Sequence, residues 1–120
     1  MRWEVEATDQ WVEWFSGLAD DQREAHAAVI DLLGEHGPTL GRPSAAQIEG
    51  SKLHNLKELR TSKGGQLRTL FIFDPRSTAI LLVGGDKTGH WKQWYAEAIP
   101  VAEALYDEYL KELRKEGLIE

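Results

Sequence analysis

Apolar and polar residues alternate at the start of the chain. Trp3 and Val5 have charged residues on both sides, which is the period-two pattern of a short strand with one buried face. The sequence therefore predicts a first strand over residues 2–7.

Apolar positions then recur at helical spacing in two stretches. In the first, Asp9 is placed to cap a helix, and the apolar face consists of Trp11, Val12, Trp14, Phe15 and Leu18. In the second, Asp21 and Glu24 form a capping-box pattern, and the Gly-Pro pair at 37–38 ends the periodic stretch. We predict two amphipathic helices, the second over residues 21–36, whose aromatic residues belong to the core rather than to a ligand platform.

The middle of the chain has the pattern of three strands. Residues 38–51 are rich in turn-forming residues and are predicted to be a loop, in which Ser44 and Gln47 have the spacing to cap one helical turn. Three runs of strand composition follow, over residues 52–61, 66–73 and 78–85. The short links between them contain Gly or Pro, which favours antiparallel hairpins and hence a β-meander.

The last part of the chain is predicted to be helical from His90 onwards. Pro100 lies inside this region and is expected to kink the helix or to begin a new one. The final helix ends at Gly117, and its apolar stripe consists of Leu105, Tyr106, Tyr109, Leu110 and Leu113. A strand, two helices, three strands and a helix in this order indicate an α+β fold.

Composition limits the class of protein. A chain of 120 residues has room for one hydrophobic core, so we predict a single domain over residues 1–120. The absence of cysteine excludes disulfides and thiolate metal sites, and His26 and His36 have no partner at a metal-ligand spacing, so no metal or cofactor is expected. No signal peptide or membrane-spanning run is recognisable, and we expect a soluble, cytoplasmic protein without a membrane partner.

Charge is distributed unevenly along the chain. The formal net charge of -6 counts against a protein that binds nucleic acid over its whole surface. Residues 51–92, however, hold eight basic and three acidic side chains, whereas the segments before and after them are acidic. This asymmetry predicts a local anion site on an acidic body, although solvated lysines alone also produce such a pattern.

Arg68 is a cation in an otherwise apolar strand. If the hairpin register places Arg68 beside Arg60, two guanidinium groups converge, which is unfavourable unless an anion or a carboxylate joins them. Glu58 shares a strand face with Arg60 and is the available internal carboxylate. The pattern therefore predicts either an anion site or an internal ion pair.

In this element order, the segment LKELRTSKGGQLRTLFIFDPRSTAILLVGGDKTG at residues 56–89 resembles RelE/HigB-type toxins of type II toxin–antitoxin systems. The shared pattern is an ELR step, a hydrophobic strand that contains an arginine, and a hydrophobic strand that ends in a lysine-bearing turn. The resemblance implies a RelE-like β-α-α-β-β-β-α fold with a mainly antiparallel sheet, a helical hairpin on one face, an RNA-binding site on the other and a C-terminal helix.

The resemblance also implies an activity and partners. Such toxins are metal-free endoribonucleases that cleave mRNA, often on the ribosome, inhibit translation and are silenced by a cognate antitoxin. Carried over to this chain, Arg68 matches the arginine at the scissile phosphate, Arg60 belongs to the ELR step, and Lys87 is the basic residue after the last strand.

The acid and base are less clearly marked, because proton transfer depends on distances that a sequence does not give. His90 and Glu58 are the candidate catalytic groups, and His54 is a further choice. Tyr95 either replaces the C-terminal tyrosine that some relatives use or packs in the core.

Contacts to RNA are expected from basic and aromatic side chains around this site, because stacking combined with nearby cations binds single strands. The candidates are Lys52, Lys57, Lys63, Trp91 and Lys92. Trp91 and its neighbour Trp94 can equally anchor the last helix in the core.

Three alternatives remain at the level of sequence. The acidic balance, and Asp86-Lys87 where relatives often have two basic residues, are compatible with a weak or ribosome-dependent nuclease. ParE-like toxins share the architecture but poison DNA gyrase. A non-catalytic module that binds a partner through its basic face is the third reading.

Overall fold

A computed structural model gives the structure of the protein and describes residues 2–120. The strands within this range are β1 (Val5–Ala7), β2 (Ala45–Gln47), β3 (Lys57–Thr61), β4 (Leu67–Phe73) and β5 (Ala79–Asp86). The α-helices are α1 (Asp9–Ser16), α2 (Asp20–His36) and α3 (Trp91–Lys115), and a short 3-10 helix follows α2 at Gly37–Thr39.

The strands form one sheet in the order β1-β5-β4-β3-β2. β1 runs parallel to β5, and the other neighbouring strands are antiparallel. The predicted hairpins β3–β4 and β4–β5 are therefore confirmed, as is the α+β fold with a mainly antiparallel sheet.

The sheet separates two cores. On one face the strands pack against α1 and α2, and the buried residues are Trp11, Leu33, Ala45, Leu59, Phe71, Ala79 and Leu81. On the other face they pack against α3, and the buried residues are Ile48, Leu56, Leu70, Ile72, Ile80, Leu82, Ala98, Ala102 and Tyr106. Because successive strand residues point to opposite faces, β4 and β5 supply both cores. The predicted helical hairpin thus lies on one face, and α3 covers part of the other.

Two adjacent glycines in β5 make room for two tryptophans. A Cβ atom at Gly84 would collide with the ring of Trp14, and one at Gly85 would collide with the ring of Trp94. Both rings therefore lie directly on the strand backbone. Trp94 has the core-anchoring role that the sequence left open.

The region between α2 and β3 differs from the prediction. Ala45–Gln47 is an edge strand that pairs antiparallel with β3, not a loop or a helical turn. The following strand begins at Lys57, because residues 52–56 form turns that lead into it. The three-strand meander is therefore a four-strand antiparallel unit.

The helix ends also differ. Thr8 caps α1, since its Oγ1 accepts the N–H of Trp11 at 3.1 Å, and Asp9 is the first helical residue. At α2 the Gln22 side chain accepts the N–H of Ala19 at 3.0 Å, so the predicted Asp21–Glu24 capping box is wrong.

α3 continues through Pro100, and no new helix begins there. The residues of α3 before and after Pro100 both pack on the sheet, which keeps the helix continuous. Near its C-terminal end, Tyr109 donates to Glu6 of β1, and Arg76 joins the same carboxylate at 3.1 Å. Within residues 2–120, no helix has the length and hydropathy needed to cross a membrane.

Candidate active site

Arg60, Arg68 and Glu58 converge on the sheet face that carries α3. The β3–β4 register places Arg60 directly opposite Arg68, which is the pairing that the sequence left open. The Glu58 carboxylate lies 3.6 Å from Arg60 Nε and 3.8 Å from Arg68 Nε. Both distances are compatible with charge attraction but are longer than a hydrogen bond of good geometry.

Lys87 and Tyr95 complete this group. Tyr95 lies in the second turn of α3, and its hydroxyl donates to Glu58 Oε1 at 2.5 Å. Lys87 follows β5, where its backbone N–H donates to the Gln66 carbonyl at 3.0 Å, and its Nζ lies 5.2 Å from the centroid of the Tyr95 ring. We call Arg60, Arg68, Lys87, Glu58 and Tyr95 the cationic cluster.

Arg68 is the buried centre of the cluster and is only 4% exposed. Its Nη1 donates to the Leu67 carbonyl at 2.8 Å, and its Nη2 donates to the Gln66 side chain at 3.4 Å. Its Nε is buried and has no hydrogen-bond partner in residues 2–120. A buried donor without an acceptor costs free energy, and the Glu58 carboxylate is 3.8 Å away from this atom.

The charges in the cluster do not cancel. One carboxylate faces three cations, and burial together with the nearby Arg68 lowers the pKa of Lys87 below its ordinary value. Burial and the hydrogen bond to Glu58 raise the pKa of Tyr95 to about 12. Tyr95 therefore remains a hydrogen-bond donor at neutral pH.

Two grooves flank the cluster. The first, about 320 Å³, is the hairpin groove and is lined by Pro43, Ser44, Arg60, Thr61, Ser62, Gln66 and Arg68. The second, about 440 Å³, is the helix groove and is lined by Arg42, Gln47, Ile48, Glu49, Glu58, Trp91, Tyr95 and Ile99. Arg60 and Arg68 line the first groove, and Glu58 and Tyr95 line the second, so the cluster borders both.

Among the residues predicted to be catalytic, Arg60, Arg68, Glu58 and Lys87 come together. His90 lies on the exposed loop before α3, and its Nδ1 is 2.9 Å from the Thr88 carbonyl oxygen. Its backbone N–H donates to the Lys87 carbonyl at 3.1 Å, but in the described chain its side chain makes no hydrogen bond or ion pair with a member of the cluster.

The residues predicted to bind RNA are dispersed. Lys57 Nζ donates to the Pro38 carbonyl at 3.2 Å, beside the 3-10 helix. Lys52 lies next to Glu103 in the middle of α3, and Lys63 is in the β3–β4 turn. Trp91 and Lys92 form the first turn of α3, beside the cluster. The basic middle segment of the sequence is therefore not one basic surface.

Two residues at the site, Tyr95 and Arg42, were not among the residues predicted to be catalytic or to bind RNA. Tyr95 was an open alternative, and only the packing of α3 on the sheet brings its hydroxyl to Glu58. Arg42 precedes β2 and reaches the helix groove, a placement that was hidden because β2 was not predicted. The sequence signal that could have identified Tyr95 is its position, since it is an aromatic residue one turn after the start of the predicted helix.

A buried polar network lies beneath Arg68, on the α1–α2 face. His26 is fully buried, and its two ring nitrogens lie 2.9 Å from Thr61 Oγ1 and 2.7 Å from Thr69 Oγ1. Trp11 Nε1 donates to the same Thr69 hydroxyl at 2.9 Å. Burial, with a smaller contribution from Arg68, lowers the pKa of His26 to about 4, so the ring is neutral and holds the two strands that carry the arginines.

The profile of a protein family described as "Phage derived protein Gp49-like (DUF891)" matches residues 13–107. The chain belongs to this Gp49-like family. Two curated relatives from Mycobacterium tuberculosis are named as candidate toxins. HigB3 is 47% identical over 97 residues, which is 81% of this chain and 84% of HigB3. HigB2 is 42% identical over 99 residues, which is 81% of this chain but only 49% of HigB2.

Solved structures show the same fold at low identity. The Gp49-like chain superposes on a double mutant of the Escherichia coli toxin RelE in the free state with a TM-score of 0.61 and 12% identity, covering 83% of this chain and 97% of that RelE chain. For RelE in the RelE–RelB complex of Pyrococcus horikoshii, the TM-score is 0.55 at 16% identity, with 74% and 99% covered. Together with the HigB relatives, this fold makes the Gp49-like chain a RelE/HigB-like toxin, and the predicted resemblance is confirmed.

Proposed function

We propose that this toxin is an endoribonuclease that cleaves mRNA with its own cationic side chains and without a metal ion. The observation that carries the proposal is the cluster of three cations with one carboxylate, in which Arg60 and Arg68 line the hairpin groove. An internal ion pair alone does not account for the cluster, because Glu58 is a single carboxylate and lies beyond good hydrogen-bond distance of the Arg60 and Arg68 Nε atoms.

The reaction that suits this cluster uses the RNA's own nucleophile. A ribose 2′-oxygen attacks the adjacent phosphorus and loses its proton, and the bond from phosphorus to the 5′-oxygen of the next nucleotide breaks. The products are a 2′,3′-cyclic phosphate and a 5′-hydroxyl. Negative charge gathers on the phosphoryl oxygens during the attack, and fixed donors stabilise it most where water is excluded. The planar forks of Arg60 and Arg68 fit two such oxygens.

Two further groups are placed for the proton transfers. Glu58 accepts the proton of the 2′-hydroxyl, since the Tyr95 hydroxyl and both arginines hold its carboxylate in place. Lys87 donates a proton to the departing 5′-oxygen, and its lowered pKa makes it a better acid than an ordinary lysine. His90 remains an alternative acid, at the edge of the site.

The partners follow from the same proposal. The substrate is single-stranded mRNA, either free or on the ribosome in the cytoplasm, and a cognate antitoxin blocks the toxin. The related RelE of Pyrococcus horikoshii is in a complex with RelB, which supports an antitoxin partner for this chain.

A cleavage assay with defined product ends tests the activity. We expect the purified toxin, with mRNA alone or with mRNA on ribosomes, to produce fragments with 2′,3′-cyclic phosphate and 5′-hydroxyl ends. Replacement of the scissile ribose by deoxyribose should prevent the cut. Intact RNA under both conditions, or products with 5′-phosphates, would contradict the proposal.

Expression in cells separates this function from the other two readings. We expect growth arrest with new 5′ ends in mRNA, reversed by co-expression of the product of the neighbouring reading frame. Arrest with intact transcripts and broken DNA would indicate a gyrase poison, and absence of arrest would indicate a binding module.

A further inference from the structure

Trp91 differs from the tryptophans that build the core. Trp11 is buried beside the sheet, and Trp94 packs against the Gly85 backbone. Trp91, in contrast, is 55% exposed, although exposure of a large aromatic ring is unfavourable. Its ring forms a wall of the helix groove.

The helix groove has the size and lining of a site for a flat, partly apolar ligand. Its volume of about 440 Å³ is within the roughly 300–1,000 Å³ of small-molecule sites. Ile48 and Ile99 supply apolar surface, whereas Arg42 and Gln47 supply hydrogen-bonding groups. A nucleobase has the same division, with two apolar faces and a polar edge.

The groove is continuous with the cationic cluster, because Glu58 and Tyr95 belong to both. Glu58 lines the groove and lies 3.6 Å from Arg60 and 3.8 Å from Arg68, so the groove begins beside the two arginines. Lys92 Nζ lies 5.4 Å from the Trp91 ring centroid but does not line the groove, so it does not occupy the space of the ligand. Its charge also attracts the phosphates of an adjacent single strand.

We propose that the helix groove binds one nucleobase of a single-stranded RNA, stacked on Trp91, next to the phosphate held by the cationic cluster. The inference rests on the proposed function, since it assigns to the same site the subsite that positions the strand. It also requires an unpaired base, because a base inside a duplex has both faces covered by its neighbours. In this proposal Trp91 binds the base and does not contact the reacting atoms, which lie at the arginines.

The experiment uses RNA that binds but is not cleaved. A short single strand of mixed sequence with 2′-O-methyl groups at every ribose lacks the nucleophile, and its binding is followed by fluorescence anisotropy. One abasic nucleotide is introduced at each position in turn. We expect wild-type toxin to lose affinity at one position only, by roughly 5- to 150-fold, the range for one stacked base.

The variants identify the protein side of this contact. Trp91→Ala should weaken the binding of intact RNA by the same factor and should be insensitive to the abasic position, because the stacking partner is already absent. Trp91→Phe should keep part of the position dependence. Val12→Ala, which truncates an exposed apolar residue on the opposite face of the sheet, serves as the control and should bind as wild type does.

The outcomes distinguish the two proposals. A uniform response to abasic positions, or an unchanged position dependence in Trp91→Ala, overturns the base subsite whether or not the toxin cleaves RNA. Failure to bind the methylated strand overturns it as well. Position-dependent binding without cleavage of ordinary RNA keeps the subsite and rejects the nuclease reaction.

Discussion

Arg68 is buried at a position where its neighbours along the strand are apolar. Burying a guanidinium costs free energy unless its donors are satisfied, and two backbone carbonyls and one side chain satisfy only part of this group. A hydrophobic side chain at position 68 would pack more favourably in the core between the sheet and α3. The proposed contact with a phosphate at the hairpin groove accounts for this arginine, whereas the stability of the fold does not.

Arg68→Ala should lower the rate of RNA cleavage by about 10²- to 10³-fold, because it removes a fixed donor for the charge on phosphate. Single-turnover cleavage measures the effect, and circular dichroism verifies that the variant is folded. Arg68→Lys should be intermediate, since a lysine keeps the charge but loses the fork. Arg114→Ala, at an exposed position near the end of α3, is the matched control. A folded Arg68→Ala variant with an unaltered rate would refute the role.

His26 gives the second prediction at the scale of a residue, and it concerns stability against pH. Its pKa is about 4 in the folded protein and about 6.5 when unfolded, so between these values the unfolded chain binds more protons. The stabilisation of the folded protein by neutral His26 is therefore complete above pH 6.5 and is lost as the pH falls towards 4. It amounts to about 3 kcal/mol of unfolding free energy.

Urea unfolding at a series of pH values measures this dependence. The interval from pH 6.5 to 5 is the most informative, because most carboxylates are still ionised there. His26→Gln does not titrate, so it should show a flatter profile in that interval although it is less stable at neutral pH. Equal slopes for both proteins would show that His26 is not the source.

At the scale of elements, long periodic segments were predictable and short ones were not. α2 and β4 have enough residues for their periodicity to be clear. β2 consists of three residues, Ala45–Gln47, and its assignment depends on pairing with β3 rather than on its own pattern. Of the two outcomes expected at Pro100, the start of a new helix is wrong for a related reason, since the packing of α3 on the sheet before and after it overrides the local preference of proline.

The glycine pair of β5 provides an element-scale prediction. Gly84→Ala should lower the free energy of unfolding by about 1–3 kcal/mol, because the added methyl group collides with the ring of Trp14 and forces α1 away from the sheet. Denaturant titration measures the change. Gly41→Ala is the control, since its added Cβ meets nothing closer than ordinary contact distance. Equal stability of the two variants would mean that α1 adjusts without cost.

The whole molecule is acidic, yet its proposed ligand is a polyanion. The excess of acidic groups is carried by the helices and the C-terminal segment, whereas Arg60, Arg68 and Lys87 meet at one place on the sheet. In the proposed function, local charge decides where RNA binds, and net charge limits binding elsewhere. The sequence indicated this asymmetry but not its geometry, because the dispersal of Lys52, Lys57 and Lys63 depends on the fold.

Salt dependence is the prediction at this scale. If three cations contact phosphates, the logarithm of the RNA affinity should fall with the logarithm of the salt concentration with a slope of roughly −2. Lys87→Ala should reduce the magnitude of the slope by about 0.7. Lys111→Ala removes an exposed lysine of a surface pair and should leave the slope unchanged. A slope near zero would contradict electrostatic binding at the cluster.

The part of the site that the sequence predicts is the part that depends on local pattern rather than on the packing of distant elements. Glu58, Arg60 and Arg68 are close in sequence and share a hairpin, so alternation and register were enough to bring them together. The contact of Tyr95 with Glu58 spans 37 positions and depends on the angle at which α3 crosses the sheet. Periodicity carries no information about that angle, and the helix groove depends on it as well.

The order of the cluster along the chain has a consequence for biosynthesis. Glu58, Arg60 and Arg68 are translated first, Lys87 follows, and Tyr95 comes only with the final helix. β1 must also wait for β5, which is its partner in the sheet. A nascent polypeptide therefore lacks the assembled constellation until Tyr95 and the helix that carries it have been synthesised.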